Sequence, residues 1–267
     1  MSAVSHATRR RGFARHLRES NSCQWGTWVK IPALETIEMI AAAGLDFIVL
    51  DQEHAPLGME SVYRATVVAQ GLGLQVLTRV PDRSGSHLQR LLDLGMDGIL
   101  VPRVSGADET RTVVDQMVFS PTGDRGLGLT ARAGFWGGLS RDEYVRSGDD
   151  VLRAVQLEDT EALEEVEDIL RTPGLNGLFL GMGDLSLSSG RTGADEGIRH
   201  LVSRMLDAAK SAGVPCGTAV QTPAQARTAA DQGFGFVMVS NDASLFREAV
   251  GNLGSELNDT GEMEMSK

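Results

Sequence analysis

Several polar side chains stand directly behind short apolar runs. Asp51, Gln52, Glu53 and His54 follow FIVL, Arg79 follows VLT, Gln156 and Glu158 close LRAVQLE, and Asp184 lies just beyond GLFLG. If these runs are neighbouring strands, a histidine, an arginine and several carboxylates converge on one rim from four strands. Two hard oxygen ligands from adjacent strand ends suit Mg2+ or Mn2+ when substrate and water complete the octahedron. A fixed arginine charge can face a developing oxyanion, and a histidine, with an ordinary pKa of ~6.5, can move a proton at neutral pH. Such a set suits chemistry in which negative charge develops on a substrate oxygen.

Each residue also has a purely structural explanation. Glu158 could cap a helix beginning near Thr160, Asp184 could cap a short helix at 185–188, and Arg79 could pair with a carboxylate. Of the five histidines, His6 and His16 lie in a basic lead-in and His87 and His200 on helices, so only His54 directly follows a strand. Gly181, Met182 and Gly183 either make a turn or present N–H groups to an anion. The run 123–128 (GDRGLG) superficially suggests a phosphate loop, but it neither follows a strand nor ends in Gly-Lys-Ser/Thr.

The elements that must hold these residues alternate. Strands are predicted at 26–31, 47–50, 76–80, 98–101, 152–157, 177–180, 215–220 and 236–239. Helices are predicted at 34–43, 59–70, 85–94, 107–117, 160–170, 197–212, 224–232 and 242–253, several ending at glycine. Eight βα units favour a (β/α)8 TIM barrel over an open doubly wound sheet. The connection between strands four and five is long, and its segment 119–138, rich in glycine, arginine and aromatics, is expected to be a lid or an interface segment.

The 267 residues hold 36 acidic and 25 basic side chains, a net charge of -11, and 42% hydrophobic residues. Nucleic acid is not an expected partner, since the only basic stretch is 9–18. Nor is a membrane, since no apolar run approaches a spanning length. The arginines near the start are not followed by an apolar h-region, so an export signal is not expected; instead Phe13 and Leu17 should pack a short helix onto one barrel end. Cys23 and Cys216 have no paired spacing, which excludes a zinc ribbon and a disulfide framework and makes the cytoplasm the default location. The domain is expected over 1–254, with 1–22 as lead-in and 255–267 as a flexible acidic tail.

Longer motifs point further. GTWVKIP at 26–32, GLDFIVLDQEHAP at 44–56, TRVP at 78–81, LLDLGMDGILVPRV at 91–104, SPTGDRGLG at 120–128, QLED at 156–159 and GMGDLSLSSG at 181–190 resemble, in order, the class II pyruvate aldolases of the hydroxy-oxo-heptanedioate (HpcH/HpaI) aldolase family, within the phosphoenolpyruvate/pyruvate superfamily. The resemblance implies a TIM barrel with an exchanged C-terminal helix, a homohexamer built as a trimer of dimers, and metal-dependent making or breaking of a carbon–carbon bond at the methyl carbon of pyruvate, with an aldehyde as the other partner. It implies that Glu158 and Asp184 hold a divalent ion (Mg2+ or Mn2+, with Co2+ a further choice). It also implies that Arg79 contacts the pyruvate carbonyl and that His54, held by Asp51, is the acid/base. Gln156 and the N–H groups of Gly183 and Asp184 would line the pyruvate pocket, and Asp93 matches a position near the aldehyde or a subunit interface.

The chain departs from the family pattern at Met182, Gly183, Ser240, Asn241 and across 191–197. These positions bear on the aldehyde and leave the proposed metal and base positions intact. Alternatives are the same enolate chemistry used for decarboxylation, for acyl-CoA thioester lysis or for a biosynthetic condensation. Further ones are a Schiff-base aldolase using Lys30, one of three lysines with Lys210 and Lys267, and a non-catalytic binding protein.

Overall fold

A computed structural model describes residues 12–258. Eight parallel strands close in sequence order into one barrel: β1 (Gln24–Val29), β2 (Phe47–Asp51), β3 (Gln75–Arg79), β4 (Gly98–Val101), β5 (Leu152–Leu157), β6 (Gly177–Leu180), β7 (Cys216–Val220) and β8 (Phe236–Asn241). The (β/α)8 barrel expected from the sequence is the fold of the chain. Its helices, in order, are α1 (Phe13–Glu19), α2 (Leu34–Ala42), α3 (Met59–Gly71), α4 (Gly85–Asp93), α5 (Ala107–Asp115), α6 (Arg141–Ser147), α7 (Thr160–Glu164), α8 (Val166–Leu170), α9 (Met182–Ser189), α10 (Glu196–Ala212), α11 (Pro223–Gln232) and α12 (Asp242–Asn258).

Period-two alternation divides the strands. Ile48, Leu50, Val76, Ile99, Val101, Val155, Leu157, Leu178, Leu180 and Val237 pack outward in the cluster shared with the helices. Phe47, Val49, Leu77, Leu100, Leu152, Ala154, Phe179, Phe236 and Met238 belong to a separate interior cluster. Gly217 serves this interior, because a Cβ there would lie 2.2 Å from the Phe236 ring. The amino end is plugged by α1. Its Phe13 is fully buried, with ring centroids 5.2 Å from Phe47 and 6.2 Å from Phe236, while Arg15 and Arg18 face water.

Several details differ from the sequence expectation. The helix expected over 160–170 breaks at Glu165 (φ -94, ψ 11) into α7 and α8. The short α6 was missed although its capping box, Ser140 with Glu143, is a sequence signal. At the far end α12 runs through Asn258, taking 255–258 out of the expected tail; the rest of the tail and residues 1–11 of the basic lead-in lie outside the described residues.

The long segment between α5 and β5 also finds its place. It follows a helix, not a strand, so it lies at the barrel's amino end. There Arg132 donates to the Leu94 carbonyl (2.7 Å) and to Gln70 (2.7 Å), both at helix carboxyl ends, and the Tyr144 hydroxyl donates to Asp93 (3.0 Å). It is therefore no lid over this chain's own rim, where the strands end; the interface reading is the one its position allows.

Candidate active site

The interior alternation carries the site. Asp51 is the inward position after Phe47 and Val49, Arg79 the one after Leu77, and Gln156 the one after Leu152 and Ala154. Glu158 continues the same parity just past β5. The barrel interior thus turns from apolar to ionic at the carboxyl end of its strands, where barrel enzymes place their chemistry.

Asp51 is the hub. It is fully buried and is the register partner of Arg79, which donates through Nε to Oδ1 (3.0 Å) and through Nη2 to Oδ2 (2.8 Å). The Lys30 ammonium is bonded to the same carboxylate, and the main-chain N–H groups of Glu53 and His54 each donate to Oδ1 at 3.2 Å. Burial alone would raise this carboxyl. The hydrogen bonds and charges of Arg79 and Lys30 outweigh that and hold its pKa at about 2. The Arg79 guanidinium also lies 4.4 Å above the Trp28 ring, which fixes its plane. The structural explanation for Arg79, pairing with a carboxylate, is therefore correct, and it leaves the charge at the rim.

The link from Asp51 to His54 differs from the one expected. Asp51 holds the main chain of His54, while the half-exposed ring has its Nε2 3.7 Å from Glu53. Glu53 in turn takes Arg79 Nη1 at 3.3 Å and Arg103 Nη2 at 2.8 Å.

Across the rim, Glu158 is buried and accepts a hydrogen bond from the Gln156 amide. Burial raises its carboxyl, with Asp184 and Glu53 pushing the same way against the Gln156 bond and the Arg103 main-chain N–H. Gly181 permits this crowding: a Cβ there would lie 2.9 Å from the Gln156 amide nitrogen and 3.1 Å from a Glu158 oxygen. Neither acid is a helix cap. Asp159 caps α7 by accepting from the Ala162 N–H (2.7 Å), and α9 starts at Met182, so Asp184 lies in its first turn. The Ser188 hydroxyl on the Glu158 carbonyl (3.1 Å) ties α9 to the end of β5. Gly183 is exposed in that first turn, whose N–H groups have no partner within the helix.

Asp93 is not brought to this rim. It ends α4 at the amino end, where it accepts from Tyr144 and lies 3.6 Å from Arg125. Two contributors were missed. Arg103 stood in the quoted motif as a loop residue, and only its positive φ of 57° marks it out. Asp242, read only as a helix start, accepts from the Lys30 and Ile31 N–H groups (2.9 and 3.0 Å) and so fixes the end of β1.

No group of three or more His, Cys, Asp or Glu side chains able to hold a metal occurs among the described residues, and no helix among them is long and apolar enough to cross a membrane. An α/β barrel whose inward ionic layer opens at the carboxyl ends of its strands has the layout of a barrel enzyme. The family model described as HpcH/HpaI aldolase/citrate lyase matches residues 24–249, and the chain belongs to that family of carbon–carbon lyases. A 2-dehydro-3,6-dideoxy-6-sulfogluconate aldolase of Pseudomonas putida is 31% identical over 237 residues, covering 87% of this chain and 91% of that protein. A 5-keto-4-deoxy-D-glucarate aldolase of Salmonella arizonae is 30% identical over 230 residues, covering 84% and 88%. The crystal structure of an HpcH/HpaI aldolase/citrate lyase family protein from Burkholderia cenocepacia superposes with a TM-score of 0.84 at 29% identity, covering 93% of this chain and 100% of that one.

Proposed function

We propose that this protein is a divalent-metal-dependent aldolase that cleaves or forms 4-hydroxy-2-oxo acids through the enolate of pyruvate. The observation that carries the reading is the acidic couple Glu158 and Asp184 standing across one rim from Arg79, itself locked on Asp51. The relatives named for sugar-acid substrates support an acidic 2-oxo compound of that kind.

Glu158 and Asp184 would hold Mg2+ or Mn2+. Both are hard oxygen donors, and Glu158 sits in a crowd of acids that an added cation relieves. Beside it Gln156 Oε1 is buried without a partner. Two protein ligands leave positions open for substrate and water, as a catalytic ion requires. Bound there, the ion would supply Lewis-acid polarisation of the 2-oxo group.

The chain's own residues do the rest. Arg79, held by Asp51 and stacked on Trp28, keeps a fixed positive charge facing the oxygen that becomes the enolate. The N–H groups of Gly183 and Asp184 receive the substrate carboxylate at the start of α9. His54 takes the proton of the 4-hydroxyl, directly or through one water, as the bond between carbons 3 and 4 breaks. The electron pair of that bond passes to carbon 3 and the 2-oxo oxygen as the enolate, the aldehyde departs, and the proton taken by His54 is delivered to carbon 3, directly or through water, to give pyruvate and restore the base. In the condensation direction His54 returns its proton to the new hydroxyl.

Lys30 suits the Schiff-base alternative poorly. A nucleophile must be a free amine, and this ammonium is the ion-pair partner of Asp51. Borohydride with pyruvate should leave the protein unmodified. The reading extends to a homo-oligomer, because α12 leaves Leu245, Phe246, Val250, Leu253 and Leu257 exposed, as a helix exchanged with a second copy would. Asp93 meets a rim only if such a copy brings it there. Light scattering on the full chain tests the assembly. Assay of pyruvate release from a panel of 4-hydroxy-2-oxo acids, with and without Mg2+, tests the activity, and full activity after chelation would overturn the metal-dependent reading.

A further inference from the structure

We propose that Arg103 binds a negative charge at the far end of the aldehyde half of the substrate and so sets the specificity of the site. The inference rests on the aldolase reading above.

Arg103 follows β4, which lies in the barrel between the strand ending in Arg79 and the strand leading to Glu158. Its φ of 57° is left-handed, a conformation that costs a side chain with a Cβ and that glycine adopts freely. A turn alone would be served better by glycine or asparagine, so the arginine calls for another explanation.

The side chain supplies one. Lys30 is ion-paired with the buried Asp51 and Arg79 is itself buried between Asp51 and Glu53, whereas the Arg103 side chain is 69% exposed and joins Glu53 through Nη2 at 2.8 Å. Most of a guanidinium's five N–H donors therefore stand in water at the mouth. Glu53 has His54 near one oxygen and Arg103 on the other, at 3.7 and 2.8 Å. With the 2-oxo acid end between Glu158, Asp184 and Arg79, and the 4-hydroxyl at His54, the remaining carbons lead outward past Glu53 to this fork. A planar fork of donors matches a carboxylate, a sulfonate or a phosphate, and it does nothing for a neutral alkyl end.

The test uses the full-length protein with Mg2+, pyruvate and two aldehydes of equal length, succinic semialdehyde and butanal, differing in a terminal carboxylate against a methyl group. The wild-type protein should prefer succinic semialdehyde in kcat/KM. In R103M that preference should shrink about ten- to hundredfold, the scale of a charge-assisted hydrogen bond, chiefly through KM for the anionic aldehyde. R103K, which keeps the charge and loses the fork, should lie between the two. An equal fall for both aldehydes would mean that Arg103 only steadies Glu53, and a wild-type protein without preference would likewise overturn the assignment. Wild-type activity with an unchanged ratio in R103M sinks this inference alone. No activity with either aldehyde sinks the aldolase reading, and this inference with it.

Discussion

Asp51 and Arg79 face each other in register across β2 and β3, and Arg79 closes on both carboxylate oxygens at 3.0 and 2.8 Å. One pairing of neighbouring strands therefore fixes both the position and the plane of the guanidinium before any substrate arrives. The charge is preorganised, so none of the binding energy goes into assembling it.

Removing the hub charge should damage fold and activity together. D51N leaves Arg79 and Lys30 buried or half-buried opposite a neutral amide, a change expected to cost about 3–5 kcal/mol in urea unfolding. The carboxyl is held at about 2, below its value of ~3.9 in an unfolded chain. Because the folded-state pKa is depressed, its contribution to stability is present above about pH 4 and disappears as the pH falls toward 2. Urea midpoints measured between pH 5 and pH 2 should fall less steeply for D51N than for the natural protein.

Loss of the proposed base should spare binding. H54A is expected to lower kcat by about 10²–10⁴, while pyruvate still inhibits with a nearly unchanged constant, because Arg79 and the start of α9 remain. Unchanged kcat would remove His54 from the mechanism.

The amino-terminal plug is testable without any assay. Phe13 is fully buried against Phe47 and Phe236, so F13A should cost about 3–5 kcal/mol through the cavity it opens in the barrel interior. A variant destabilised by less than about 1 kcal/mol would mean that α1 is dispensable for the barrel.

Ser240 carries a φ of 55° at the end of β8. S240G removes a Cβ from a left-handed position and should raise stability by up to about 1 kcal/mol, less what glycine gains in the unfolded chain. A melting temperature below that of the natural protein would show that the serine side chain contributes something its backbone strain conceals.

The barrel was legible because its strands are short apolar runs and its helices mostly end at glycine, both local signals. Asp51, Arg79, Gln156 and Glu158 were legible because each follows an apolar run, and period-two parity then carries it inward. Asp184 was legible as a rim residue, while the start of α9 at Met182 was not, since helix boundaries depend on packing against β5. What connects the residues was hidden. That Asp51 grips the His54 main chain and leaves the ring to Glu53 depends on the path of 51–54 around a buried carboxylate. The role of Arg103 depends on one backbone angle that an arginine gives no reason to expect. The composition of the long segment 119–138 allowed a lid or an interface segment, and its attachment after α5, at the amino end, removes the lid over this rim.

The most direct test of the account is pyruvate release from a 4-hydroxy-2-oxo acid by chelator-treated protein, before and after addition of Mg2+, in the natural chain and in E158Q and D184N. Activity in the natural chain should disappear on chelation and return with the ion, and both variants should show a loss of at least about 10² that no concentration of ion restores. Metal-independent release, or variants that respond to the ion like the natural protein, would contradict it.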